Sequence, residues 1–506
     1  MYFRSKGIEL STTLGPLAVL GMLLFFFLKY PGAANEILLN LRLGLSARLE
    51  SYYLFVGLGI FLLSVFLIFS PYGRIRLGPA KKKKYSTLTW GAMIFTSTMG
   101  ADIIYWSLTE WIHYFNEPHV RNLGPAEVWA PTYPLFHWGP IPWSFYLVMS
   151  VIFAYQIHVS GLLRQRFSEI CRPLLGPAVK KWPGKTIDLI AVFGLLAGAA
   201  TTFTLVIPLL ASILGKIFKV PVTPNLSLII MLLIALLFLV LIYLGFQGIS
   251  NLAKLASALF GLLMLYVLIL GGEGLFILKT GFRSLTNLTS NFWFLATWLD
   301  PLQETGFTIR WTIFYWSYWL VWCVAIPFFI GLISAGRSIR STILGGFAFG
   351  LLGTFSSFII LGNYGLALQA RDQIGLSTLL ARGSQPQDLI LLIFEKLPGG
   401  KFSLVLLGLT LLAFYTTIFD ALSTVLSYYS YQEHSLDQEP KRSIRLFWSF
   451  LFLLLPTALL KSESTLLSLQ SVSIITALPI SFIVILAVLS FFLDIKRKGI
   501  NSGEPD

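Results

Sequence analysis

An all-α integral membrane protein with about twelve transmembrane helices is the fold class this sequence predicts, and three observations predict it. The 506 residues are 56% apolar and only 12% charged, with a mean hydropathy of +0.77, outside the range of soluble globular domains. Twelve segments have the roughly 20 apolar residues that a helix needs to cross the hydrocarbon core. Basic residues concentrate in alternate loops, the pattern that sets membrane topology.

The spans fall at about 11–29, 51–71, 88–115, 137–159, 186–214, 226–246, 252–279, 308–334, 342–367, 403–431, 444–461 and 466–493. The first has a basic flank, Arg4 and Lys6, and no small-residue cleavage site, so it reads as a retained span. Loop 72–87 holds Arg74, Arg76 and Lys81 to Lys84, and loop 160–185 holds Arg164, Arg166, Arg172, Lys180, Lys181 and Lys185. Between them, 116–136 holds only Arg121, so both basic loops are expected in the cytoplasm. An even number of spans then leaves both termini cytoplasmic as well. Residues 280–307 mix Phe292, Trp293, Phe294, Leu295 and Trp298 with Arg283, Asn287, Asn291 and Asp300, the pattern of an amphipathic helix lying in the outer interface. Residues 368–402 are expected to form a long outer loop, and 494–506 a short cytoplasmic tail.

The net charge of +14 does not point to nucleic acid, because the basic residues sit between apolar runs. Cys171 and Cys323 are too few for a disulfide framework. His113, His119, His137, His158 and His434 form no metal-ligand spacing, and no glycine-rich phosphate loop is evident, so neither catalytic residues, a metal site nor a cofactor are expected.

Chemistry concentrates in two aromatic stretches, Phe136 to Tyr146 and Trp311 to Trp322. Indole faces attract cations that cannot hydrogen-bond, such as trimethylammonium groups. Trp316, Trp319 and Trp322 are spaced three apart and share a slowly drifting helix face. Trp143 and Tyr146 have the same spacing, with Trp138 earlier, beyond Gly139, Pro140 and Pro142, which mark an irregular helix start. A lone tryptophan near a span end serves as an interfacial anchor; two dense clusters point instead to a quaternary-ammonium site. Asp102 lies mid-span, where a carboxylate is costly unless paired or hydrated, and is a functional candidate as counter-ion or proton carrier; a structural pairing is the alternative. The adjoining Met99-Gly100 and the hydroxyls of Thr96, Ser97 and Thr98 would let the backbone hinge there. Asp420 is a second acid within a span, and Lys254 either reaches the site or snorkels to the interface.

These motifs resemble the betaine/carnitine/choline transporter family. Trp311 to Trp322 followed by Gly336-Arg337-Ser338-Ile339-Arg340 is similar to its signature helix, and His137-Trp138-Gly139 through Tyr146 to its fourth helix; the likeness covers about residues 50–495. The resemblance implies two N-terminal helices (1–87), a five-plus-five inverted-repeat core (88–279 and 308–493) around the interfacial helix 280–307, alternating access, and a homotrimer. It implies that Trp138, Trp143, Tyr146 and Trp319 form the box around the substrate ammonium, and that Phe314, Trp316 and Trp322 line the path to the cytoplasm. Sodium-coupled relatives carry two adjacent hydroxyl residues where this chain has Thr417-Ile418, so sodium-independent transport is expected, with Lys254, Thr417, Asp420 and Asp102 as coupling candidates. Asp102 sits where choline-selective relatives carry an aspartate, and a carboxylate there would repel a zwitterion's own carboxylate at low dielectric.

The expected function is therefore secondary transport of choline-like or betaine-like compounds across the cell inner membrane, by symport, uniport or antiport. A carnitine/betaine-type exchanger with Asp102 neutral and a non-transporting quaternary-amine sensor are the alternatives; an enzyme is not expected.

Overall fold

The computed structural model describes residues 6–78, 83, 85–97, 100–161, 164, 166–300, 304–433, 439–461 and 466–499. Thr98 and Met99 of the expected hinge, and Lys81, Lys82 and Lys84, lie outside the described residues. The described chain is overwhelmingly helical, as a membrane demands, because a helix satisfies its own backbone groups where water cannot. Its first half contains α1 (Leu10–Lys29), α2 (Pro31–Phe69), α3 (Thr87–Ser97), α4 (Gly100–Phe115), α5 (Pro118–Leu123), α6 (Ala126–His137), α7 (Pro140–His158), α8 (Arg172–Leu175), α9 (Trp182–Phe218) and α10 (Pro224–Leu265). The second contains α11 (Gly274–Thr297), α12 (Ile313–Trp322), α13 (Ile326–Ile333), α14 (Ile339–Ser357), α15 (Asn363–Ala370), α16 (Leu376–Ala381), α17 (Pro386–Glu395), α18 (Gly400–Tyr429), α19 (Arg442–Lys461) and α20 (Leu466–Arg497).

Among the described residues, seven helical stretches are long and apolar enough to cross a bilayer, and α12 with α13 makes an eighth, bent by 52°. Shorter apolar stretches lie at Thr12–Leu23 and Pro224–Val240. The twelve expected spans all fall on helix, with differences at their bounds. The fourth begins earlier, since 126–137 is helix despite Pro131 and Pro134. The seventh ends at a π-helical turn, Tyr266–Leu270, where Gly272 (φ +76°) reverses the chain, so the expected interfacial helix starts at Gly274 rather than 280. The expected outer loop 368–402 folds into α16 and α17, which bury Leu389, Ile390, Ile393 and Phe394.

Helix α10 covers both the sixth and seventh expected spans. Phe238 stacks on Phe419 at 4.7 Å and Phe260 on Phe414 at 5.8 Å, so rings 22 residues apart on α10 meet rings five residues apart on α18. A straight helix would hold the first pair about 33 Å apart along its axis. Helix α10 therefore bends between Phe238 and Phe260.

One face of the bundle gathers elements far apart in sequence. Strand β1 (Lys6–Ile8) pairs antiparallel with β2 (Tyr431–Glu433), Lys6 opposite Glu433 and Ile8 opposite Tyr431. Arg164 Nε donates to the Gln432 carbonyl at 2.6 Å and Arg166 Nη2 to that of Tyr431 at 2.7 Å, while Asp188 accepts from the Ser168 N–H at 3.0 Å. Lys498 reaches the Ser160 hydroxyl at 2.6 Å. The first described strand, the last described helix and the basic loop after α7 thus share a face. At the other end lie the Lys216–Glu395 pair and Arg310–Glu117 at 2.7 Å.

Candidate substrate site

The site is built where α6 ends and α7 begins. Gly139, extended at φ −97° and ψ −152°, separates the helices, and Pro140 opens α7 at a position needing no N–H partner. Trp138 is left in the break as the α6 cap, while Trp143 and Tyr146 project from the first turns of α7. Trp319 of α12 meets all three: ring centroids lie 5.5 Å from Trp138, 5.5 Å from Trp143 and 4.6 Å from Tyr146. All four side chains are fully buried. Helix α14 backs the group with Gly350, where a Cβ would collide with the Trp143 indole, and Thr354 donates to the Trp138 carbonyl at 3.1 Å. The rings meet at steep angles, the inclined contacts that aromatic pairs prefer.

Asp102 lies in the first turn of α4, where the helix dipole favours a negative charge. Its Oδ2 accepts from the Thr202 hydroxyl at 2.9 Å, and that hydroxyl lies 3.1 Å from the Tyr318 hydroxyl; Oδ1 has no hydrogen-bond partner among the described residues. Asp102 is thus one residue removed from the box, behind Tyr318, with Tyr146 within its electrostatic reach. Glu110, two turns further along α4, reaches the box directly: Oε2 accepts the Trp138 indole N–H at 2.8 Å. Its Oε1 accepts the Tyr114 hydroxyl at 2.7 Å and faces His137 Nδ1 at 3.2 Å.

The profile of the betaine/carnitine/choline family of transporters matches residues 11–500, nearly the whole chain. The chain belongs to the betaine/carnitine/choline transporter family. This transporter is 27% identical to a carnitine transporter of Acinetobacter baumannii over 84% of its own length and 78% of that protein's. It is 28% identical to the glycine betaine transporter OpuD of Bacillus subtilis over 88% and 86%, and 27% identical to the uncharacterized transporter YeaV of Escherichia coli over 84% and 88%. A solved Na+-coupled sialic acid symporter aligns with a TM-score of 0.41 and 12% identity, covering 91% of this chain and 86% of that one, a likeness too distant to bear on mechanism. Family and relatives are membrane transporters, not enzymes.

The remaining candidates of this family member do not converge on the box. Trp316 turns to α2 and α6, abutting Gly57 and Phe136, because a three-residue spacing drifts by about 60° per step around a helix. Trp322 lies against Gly198 of α9 and the Tyr318 ring, and Phe314 stacks on Tyr318. Asp420 is held in a buried ion pair with Arg445 of α19, so it is not a free carboxylate available for coupling. Thr417 returns its hydroxyl to the Ala413 carbonyl of its own helix at 2.8 Å. Lys254 is exposed on the outer side of α10, away from the box. Gly100 admits the Phe414 ring, which any Cβ would strike, so its absent side chain serves close packing of α4 on α18.

Sequence reading passed over Glu110 and His137. Both were visible as ionisable residues within apolar segments, and such residues are functional candidates by default. Their pairing was not visible, because it joins α4 to the end of α6 across 27 residues.

Proposed function

We propose that this transporter carries small quaternary-ammonium compounds, choline-like or betaine-like, across the inner membrane by alternating access, without sodium, gripping the ammonium between Trp138, Trp143, Tyr146 and Trp319. The observation that carries this reading is the meeting of four fully buried aromatic rings from two helices and a helix break. Such a wall binds a cation that offers no N–H, and desolvation strengthens the attraction. The indole N–H groups of Trp143 and Trp319 have no protein acceptor among the described residues, leaving them for a substrate hydroxyl or carboxylate. Asp102 supplies negative charge nearby and favours a cationic substrate over a zwitterion.

Alternating access is supported by the break in the helix that carries Trp319. The box rings already touch, so seating a trimethylammonium group requires Trp319 to withdraw from α7. Cys323 to Ala325, between α12 and α13 at their 52° bend, supply a joint for that motion. Membership of the transporter family supports a five-plus-five repeat. Sodium independence is supported at α18, where Thr417 is bonded to its own helix and Ile418 offers no oxygen. Both termini belong in the cytoplasm if the face bearing Arg164 and Arg166 does. The exposed Leu278, Phe282 and Trp293 of α11 offer an apolar surface for a homotrimer.

Radiolabelled choline, glycine betaine and carnitine, presented to proteoliposomes under imposed sodium and proton gradients, test this. Sodium-independent choline uptake is expected. Uptake only against internal carnitine or betaine would make the chain an exchanger. Tight binding with no uptake would make it a sensor.

A further inference from the structure

Glu110 and His137 touch one another and are fully buried, and one of the two is bonded directly to a wall of the box. Glu110 Oε2 holds the Trp138 indole at 2.8 Å. His137 Nε2 lies 3.1 Å from the hydroxyl of Thr312, seven residues before Trp319 on the helical run into α12. We propose that Glu110 and His137 form a proton-binding site whose occupancy opposes occupancy of the box by an ammonium group. This rests on the quaternary-ammonium reading of the box.

The charge balance gives the sign. Without the proton, the pair is a carboxylate beside a neutral imidazole and carries one negative charge. With it, the pair is neutral overall, whether the proton rests on Oε1 or Nδ1. The proton comes from water and returns to it; only an O–H or N–H bond forms or breaks. Around the pair stand Tyr114 of α4, Tyr133 and Trp138 of α6, and Thr312 and Tyr315 beside and on α12, with Phe307 and Phe358 completing the shell. Glu117 and Arg310, further out, neutralise one another at 2.7 Å. Among the described residues, His137 is the one base bridging Glu110.

An ammonium seated against Trp138 is therefore one indole away from a charge that no fixed cation among the described residues cancels. At low effective dielectric that cation favours the carboxylate and drives the proton off. A carboxylate accepting the indole N–H also pushes electron density into the Trp138 ring, deepening the negative face that the ammonium meets. Reciprocity then requires a bound proton to weaken ammonium binding by the same factor. The pair's bonds to Trp138 and Thr312 tie it both to the end of α6 and to the helical run that leads to Trp319.

Two measurements on the purified full-length protein test this. Calorimetry of choline binding in buffers of different ionisation enthalpy should show proton release, and the Kd should rise by up to about tenfold per pH unit on acidification, the limit for one competing proton. Glu110→Gln should abolish both effects while retaining weakened binding, and His137→Asn should move the midpoint. Asp102→Asn should leave the pH slope in place. Infrared pH-difference spectra of the substrate-free protein should show carboxyl or imidazole bands that vanish in Glu110→Gln and change in His137→Asn. A pH-independent Kd without proton release, or a slope surviving in both variants, overturns the proposal. If neither choline, glycine betaine nor carnitine binds, the box reading fails, and the infrared titration still decides the proton site: bands unaltered by both variants overturn it.

Discussion

Trp319 touches three other rings of the box at once, whereas Trp138 also packs against Phe358 outside it. Removing it opens the site, and Trp319→Ala should weaken choline binding by about 1–2 kcal/mol, roughly 5- to 30-fold, read as fluorescence quenching; unchanged affinity would reject the assignment. Asp102→Gly should shift the preference between choline and glycine betaine toward betaine, measured by competition; an unaltered ratio would remove Asp102 from substrate choice. At Cys171, in the loop after α7, burial pushes the thiol up to about 12, with the Asp188 charge adding to it. Because the group's thiolate form is suppressed at neutral pH, maleimide should label Cys171 only after denaturation; rapid labelling of the native protein would contradict the burial. Trp138, Trp143, Tyr146 and Trp319 stand out in the sequence because aromatic spacing on a helix is a local signal, and the structure brings their rings into contact. Glu110, His137 and Arg445 were not read, since a buried charge reveals its partner only when distant helices meet.

Helices differ in how far the sequence announced them. The fourth span was expected from its apolar run, yet α6 extends it back to Ala126 through Pro131 and Pro134, which composition had marked as loop. The expected stripe of Trp316, Trp319 and Trp322 failed as a single lining surface for a geometric reason, since three-residue steps carry the rings around the helix to different neighbours. Two broken or bent elements, α12 with α13 and α10, place their irregularity where helix-to-helix contacts dictate it. Between α18 and α19 the buried Asp420–Arg445 pair provides an element-scale test. Arg445→Ala leaves a carboxylate uncompensated and should destabilise the protein by about 3–5 kcal/mol, seen as a lowered Tm in detergent. The double variant Asp420→Asn/Arg445→Met should recover part of the loss; no recovery would mean that Arg445 acts through contacts other than Asp420.

For the whole molecule, the sequence supplied the membrane class and the alternation of basic loops, but neither the sheet nor the contacts that bind one face together. On the lipid-facing side of α11, Leu278 and Phe282 stand exposed, and the proposed homotrimer can be tested there. Native mass spectrometry should find trimers, and Leu278→Lys with Phe282→Lys should shift them to monomers without abolishing substrate binding. Persistence of the trimer would place its contacts elsewhere. The pairing of Lys6–Ile8 with Tyr431–Glu433 also constrains biogenesis. Its partners are separated by more than 400 residues, so at about 5–20 residues per second the ribosome needs on the order of 20–90 s between making the first strand and completing the second. During that interval the leading segment has no strand to join, while ten of the expected spans are inserted. Closure of this small sheet is therefore a late event in biosynthesis, and the newborn chain presents its early residues to chaperones or proteases until α18 has emerged.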